Sequence, residues 1–199
     1  MNEILAFNKW STKGIAVKDP GLKEYINLNP TFIPRTGARY AGSKFYKSRV
    51  FIVERLINRL MVPGHKAKKH KLTSYLVTGK SATATKIVEQ AFKIIESKMK
   101  KNPVEVLAGA VENSAPREEI ITIEYGGARY PKAVEMAPQR RVDFALKMMT
   151  QSAYQKTRNS KKTAVNALAD EIMAAYMLSP NSMAISKKLE LERQADASR

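Results

Sequence analysis

Apolar positions along this chain repeat at two different periods, and the change of period divides it into elements. Over most of its length the spacing is three and four, which places the apolar side chains on one face of a helix. Val50, Val53, Leu56, Ile57, Leu60 and Met61 predict a first helix over about 47–61, stopped by Pro63-Gly64. Ala84, Ile87, Val88, Ala91, Ile94 and Ile95 predict a second over about 81–99. Asn102 as cap and Pro103 in the first turn open a third, which runs through Leu107 and Val111 and stops before Pro116. Pro138 begins a fourth, reaching about Lys156, with Val142, Ala145, Leu146 and Met149 inward. Val165, Leu168, Ala169, Ile172, Met173 and Tyr176 mark a fifth over about 163–178, broken by Ser179-Pro180-Asn181. The last stretch, 182–199, is helical by propensity but heavily charged and weakly amphipathic. It is expected at the periphery, with part of it touching a neighbour.

Between the third and fourth helices the period falls to two. Glu119-Ile120-Ile121-Thr122-Ile123-Glu124-Tyr125 is β-branched and aromatic-rich. Gly126-Gly127 follows, and a second run extends from Ala128 to Glu135. Two short strands around a glycine pair predict a hairpin over about 118–136. A lone two-stranded hairpin is marginal in water, so its outer part is expected to project and lean on a partner. The fold class is therefore mainly α: a bundle of about six helices with one projecting β-hairpin. Residues 1–45 show no sustained period, and Pro20, Pro30 and Pro34 forbid a long helix there. They read as an irregular basic N-terminal extension ahead of a helical domain at 46–199.

Charge adds what periodicity cannot. The 199 residues carry 35 Lys and Arg against 18 Asp and Glu, a net charge of +17. Sixteen of the basic and four of the acidic residues lie in the first 80, so the surplus is concentrated there. Such self-repulsion is relieved by a polyanion, whose phosphates release counterions as they are neutralised. A hydrophobic fraction of 44% allows a real core. No run of about eighteen apolar residues exists to span a membrane, and residues 1–10 do not read as a secretory signal. The absence of cysteine excludes disulfides and thiolate metal sites.

The cations fall into groups. Arg35, Arg39, Lys44, Lys47 and Arg49 are interleaved with Tyr40, Phe45 and Tyr46, a mixture that suits phosphates and unstacked bases. The same aromatics could equally anchor the segment on its own core. Arg55 and Arg59 fall off the apolar stripe of the first helix, four apart on one face. Lys66, Lys68, Lys69 and Lys71 crowd a loop with the two histidines. Lys98, Lys100 and Lys101 sit at a helix C-terminus, where the dipole explains them. Arg140 and Arg141 sit in a first turn, the wrong end for that dipole, so an external anion is the better reason for them. Arg158, Lys161 and Lys162 belong to a polar linker, and Arg129, Tyr130 and Lys132 lie near the hairpin tip.

Catalytic patterns are missing. The string Gly79-Lys80-Ser81 has the ending of a phosphate-binding P-loop, but Ser74 stands where its first glycine belongs and no strand precedes it. Glu118 and Glu119 are adjacent and point to opposite faces of a strand. The Met-rich pieces fit a core better than a cofactor box. No catalytic residue, metal site or cofactor is expected. An alternative of another class is a free DNA-binding regulator, which needs a recognition helix with base-reading side chains on an exposed face; no helix-turn-helix signature is evident.

Several ordered strings carry a family resemblance. They are Asn8-Lys9-Trp10-Ser11, Ile52-Val53-Glu54-Arg55-Leu56-Ile57-Asn58 and Asn102-Pro103-Val104-Glu105-Val106-Leu107. Glu112-Asn113-Ser114-Ala115-Pro116-Arg117-Glu118-Glu119, Tyr125-Gly126-Gly127 and Pro138-Gln139-Arg140-Arg141 follow. Ala169-Asp170-Glu171-Ile172, Ala184-Ile185-Ser186-Lys187-Lys188 and Leu191-Glu192-Arg193 complete the set. On these the chain resembles, over nearly its whole length, the family of the seventh protein of the small ribosomal subunit in its archaeal and eukaryotic form. The resemblance implies a non-catalytic cytoplasmic protein of the ribosome, off any membrane, that binds the 3′ major domain of small-subunit rRNA and nucleates assembly of the head. It implies that Arg35, Arg39, Lys44, Arg49, Lys66, Lys68, Lys69, Lys71, Arg140, Arg141, Arg158, Lys161 and Lys162 hold rRNA. It further implies that Tyr125, Gly126, Gly127, Arg129 and Tyr130 lie near messenger RNA and exit-site tRNA, beside neighbouring proteins of the head and platform.

Overall fold

The computed structural model describes residues 3–66, 69–70 and 77–199. Six α-helices form the body: α1 (Ile52–Leu60), α2 (Ser81–Met99), α3 (Pro103–Ser114), α4 (Pro138–Thr157), α5 (Ala164–Tyr176) and α6 (Met183–Asp196). A two-residue ladder, β1 (His65–Lys66) with β2 (Lys69–His70), follows α1. The hairpin of β3 (Glu118–Tyr125) and β4 (Ala128–Glu135) stands between α3 and α4. The expected fold class, mainly helical with a projecting hairpin, is what the chain adopts, and the short β1–β2 ladder is an addition to it.

Helix α5 is the axis of the bundle. It packs against α2, α3, α4 and α6, and Ala167, Leu168, Ala169, Ile172 and Ala175 are fully buried. Small residues alternating with Leu and Ile let four neighbours approach one helix closely. Two helices begin on caps that the local sequence signals: Asn102 accepts from the Val104 N–H at 3.0 Å, and Thr163 from the Asn166 N–H at 3.3 Å. The hairpin turns on Gly126 and Gly127 with φ of 57° and 81°. Both central residues of such a two-residue turn need positive φ, which glycine adopts freely.

Three details depart from the periodic reading. Helix α1 starts at Ile52 rather than Lys47, because Val50 and Phe51 are extended. Asn27 pairs with Phe51, and the Ile52 N–H donates to the Asn27 carbonyl at 2.9 Å, which draws this backbone out of the helix. Only a short 3-10 turn, Tyr46–Arg49, remains of the expected first turns. Arg55, off the apolar stripe, is nevertheless buried, because it donates to the Tyr25 carbonyl at 2.9 Å and meets Asp143 at 3.1 Å. Helix α5 ends at Tyr176, two residues early, where Leu178 turns to φ 54°.

Helix α6 is less peripheral than its charge suggested. Its cap Ser182 is buried and donates to Glu171 of α5 at 2.8 Å, and α6 packs along the base of β3 and β4.

The N-terminal segment is irregular but pinned. Ala6, Trp10, Leu22 and Ile26 belong to the main core. Trp10 stands edge-on to Phe92 of α2 at 5.6 Å, and its indole N–H donates to Glu96 at 3.1 Å. The amide of Asn102, besides capping α3, donates to the Ser11 carbonyl at 2.6 Å.

Candidate nucleic-acid interface

The helix stripes consume the apolar residues, so the surplus cations are left on the remaining faces, and the packing decides which of them meet. Helix α1 crosses α4, and the loop before α1 arches over the crossing. The result is a cleft of about 1010 Å³. Arg35 and Lys47 line it from the loop side, Arg59 from α1, and Arg140 and Lys147 from α4. Phe45, Met61, Phe144 and Leu146 supply apolar wall.

Two acids within the cleft are already engaged. Asp143 takes Lys47 at 2.7 Å and Arg55 at 3.1 Å. Glu54 accepts both the backbone N–H and the hydroxyl of Thr36 at 2.7 Å, which ties the arch to α1. Burial lowers the Arg55 guanidinium from its ordinary value, and Asp143 works against that. Arg59 is lowered by burial in the same way. The Lys147 ammonium is lowered too, by burial first and then by the charges of Arg59 and Arg140. Arg59 and Arg140 lie close enough to depress Lys147, and such a local field favours an anion.

The residues singled out in the sequence separate into several surfaces. Arg35 and Arg140 reach the cleft, and Arg39 and Lys44 are exposed on the arch beside it. Arg49 is exposed but opens onto a neighbouring depression shared with Lys23 and Asn29. Arg158 and Lys161 are exposed beyond the end of α4, roughly 27 Å from Arg140 by the rise of the helix. Lys162 is held by Asp170 at 2.6 Å. Lys68 and Lys71 lie outside the described residues, and Lys66 and Lys69 belong to the β1–β2 ladder. The external anion expected for the first turn of α4 finds internal substitutes. Arg140 has Glu119 at 2.7 Å, and Arg141 turns inward to Asp19 at 2.9 Å and to the Pro116 carbonyl at 3.0 Å. Lys147 was not singled out in the sequence, although it stands seven residues after Arg140 and so on the same helical face.

The hairpin presents a second surface. Register places Ile121, Ile123, Tyr125, Ala128, Tyr130 and Lys132 on one face, with Ile123 opposite Tyr130. Tyr125 is 82% exposed and Tyr130 58%, so the tip is clear of the body. Its base is fastened by Arg199 to Glu118 at 2.6 Å and by Arg140 to Glu119. Among the described residues no helix is long and apolar enough to cross a membrane.

A helical bundle with a cationic cleft and a hairpin whose tip is exposed defines the class as a basic, mainly helical binding protein. The chain belongs to the ribosomal protein S7p/S5e family, whose model matches residues 22–199. It is 49% identical over 193 residues to the small ribosomal subunit protein uS7 of Nanoarchaeum equitans, covering 97% of this chain and 98% of that one. To the protein of the same description from Archaeoglobus fulgidus it is 43% identical over 197 residues, covering 99% and 96%. To that from Methanothrix thermoacetophila it is 44% identical over 193 residues, covering 97% and 98%. These relatives are ribosomal proteins and archaeal, as the resemblance implied, and the chain is not an enzyme.

Proposed function

We propose that the chain is a structural constituent of the small ribosomal subunit, that it binds the 3′ major domain of its rRNA, and that it nucleates assembly of the head there. Family membership supports the ribosomal assignment. The single observation that carries RNA binding is the α1–α4 cleft, which Arg59, Arg140 and Lys147 line together. Phosphate neutralisation supplies most of the affinity, and the rigid helix faces supply placement. Arg35, Arg39 and Lys44 extend the contact beside the cleft, and exposed Arg49, Arg158 and Lys161 offer phosphate contacts on separate surfaces. The tip, from Tyr125 to Tyr130, reaches messenger RNA and exit-site tRNA, supported by its exposure and its aromatic face. Neighbouring proteins of the head and platform share that surroundings.

Filter binding of the full chain to a 3′-major-domain rRNA transcript tests this. The expected result is tight binding that weakens steeply with salt, log affinity falling by roughly 0.7–0.9 per tenfold rise in salt for each phosphate contact. Affinity indifferent to salt, or equal affinity for an unrelated DNA duplex, overturns it.

A further inference from the structure

We propose that the α1–α4 cleft seats one unpaired nucleotide of the RNA, its base laid on Phe45 and its phosphate held by Arg59, Arg140 and Lys147. This rests on the RNA-binding reading above and specifies what one of its sites takes.

Phe45 motivates the base. It is 62% exposed and sits at the cleft wall. It also has φ 55°, a left-handed backbone that a bulky side chain adopts only under constraint. Glycine or asparagine would make the same turn more easily. Among the described residues its ring pairing is an edge contact to Tyr25, with centroids 6.4 Å apart. Strain and an exposed aromatic ring thus coincide at one position. An open aromatic face beside cations is what unstacked bases use, since every base has a π-face.

The other wall motivates the phosphate. Among the described residues no carboxylate lies within 4.0 Å of the Lys147 ammonium or the Arg59 guanidinium, and the Nε of Arg59 is buried without an acceptor. Of the acids in the cleft, Asp143 is spent on Lys47 and Arg55, while Glu54 holds Thr36 through one oxygen and keeps the other buried without a donor. Arg140 holds Glu119 through a side chain that is itself 65% exposed, a pair a phosphate can replace at little cost. The volume of about 1010 Å³ suits a small ligand or an extruded nucleotide, not a duplex.

The test uses the full chain and a 3′-major-domain rRNA transcript carrying 4-thiouridine. Phe45→Leu is expected to weaken binding roughly ten-fold, within the range for loss of one base stack, with the salt slope unchanged. Phe45→Trp is expected to restore it. Lys147→Gln is expected to make the salt slope shallower by about one phosphate. Photo-cross-links are expected on the segment that carries Phe45. Unaltered affinity of Phe45→Leu, failure of tryptophan to rescue, or cross-links confined to other segments overturns the nucleotide site while leaving rRNA binding intact. Failure of the unaltered chain to bind the transcript at all overturns both readings.

Discussion

Arg141 of α4 and Asp19 of the N-terminal segment meet at 2.9 Å across 122 residues of sequence. Asp19 also accepts the Gly21 N–H at 2.9 Å, while Arg141 adds a bond to the Pro116 carbonyl. The pair fastens the N-terminal segment to the root of the hairpin. Arg141 is only 11% exposed in its side chain, so removing Asp19 strands a partly buried charge. Arg141→Gln is expected to lower unfolding stability by about 1–3 kcal/mol and to leave the salt slope of RNA binding unchanged. Arg140→Gln, one residue earlier and exposed, is expected to do the reverse. Denaturant titration and filter binding on the two variants check the contrast.

Glu171 is fully buried, yet all its bonds are met. One oxygen accepts from Ser152 at 2.7 Å and Lys156 at 2.6 Å, the other from Ser182 at 2.8 Å and the Ala184 N–H at 3.2 Å. One carboxylate therefore joins α4, α5 and the start of α6. Glu171→Ala leaves those donors without an acceptor and is expected to cost about 3–5 kcal/mol. Glu171→Gln keeps the shape and is expected to cost less. A midpoint in chemical denaturation unchanged by the alanine variant would refute this.

Gly109 lies inside α3, where alanine ordinarily stabilises by about 1 kcal/mol. Here a Cβ would stand 2.9 Å from two carbons of the Tyr176 ring. That ring cannot easily move: Lys101 lies over it at 5.1 Å and donates to its hydroxyl at 3.2 Å, and Asn113 donates to its carbonyl at 2.8 Å. Overpacking outweighs propensity, so Gly109→Ala is expected to destabilise by about 1–3 kcal/mol. A raised Tm would show that the ring gives way.

Asp170 bridges the end of α2 to the linker before α5 through Lys98 at 3.2 Å and Lys162 at 2.6 Å. Burial pushes its carboxyl up, but the two lysines outweigh burial and hold it below the ordinary value of 3.8. With the folded value depressed, the unfolded chain binds the proton first. The stabilisation is therefore full above about pH 3.8 and is lost as pH falls through the lower folded value. Asp170→Asn is expected to be less stable at neutral pH and to show a weaker loss on acidification, seen by following unfolding from pH 7 to pH 2.

Excising the tip, Tyr125–Tyr130, removes exposed residues whose strands are anchored at the other end by Glu118 and Glu119. The helical body is expected to keep its Tm and its rRNA affinity, while subunits carrying the shortened chain mishandle tRNA or messenger RNA at the exit site. If such subunits fail to incorporate the protein, the hairpin is a scaffold element instead.

Six helices, the Asn102-Pro103 start of α3 and the Gly126-Gly127 turn were legible because each is set by neighbours a few residues apart. Periodicity, caps and glycine conformation act at that range. So did the excess of cations, since charge is a sum over residues. What only the tertiary structure decided is which of those cations face solvent. Arg55 is buried by Asp143, 88 residues away, and Arg141 is turned inward by Asp19. The late start of α1 follows from Asn27 pairing with Phe51, and the irregular N-terminal segment is seated by Trp10 against Phe92. The cleft that gathers Arg59, Arg140 and Lys147 exists only once α1 crosses α4. A repeat along the chain reports what lies one turn away; an ion pair or a cleft depends on how distant helices pack, and no local pattern encodes that.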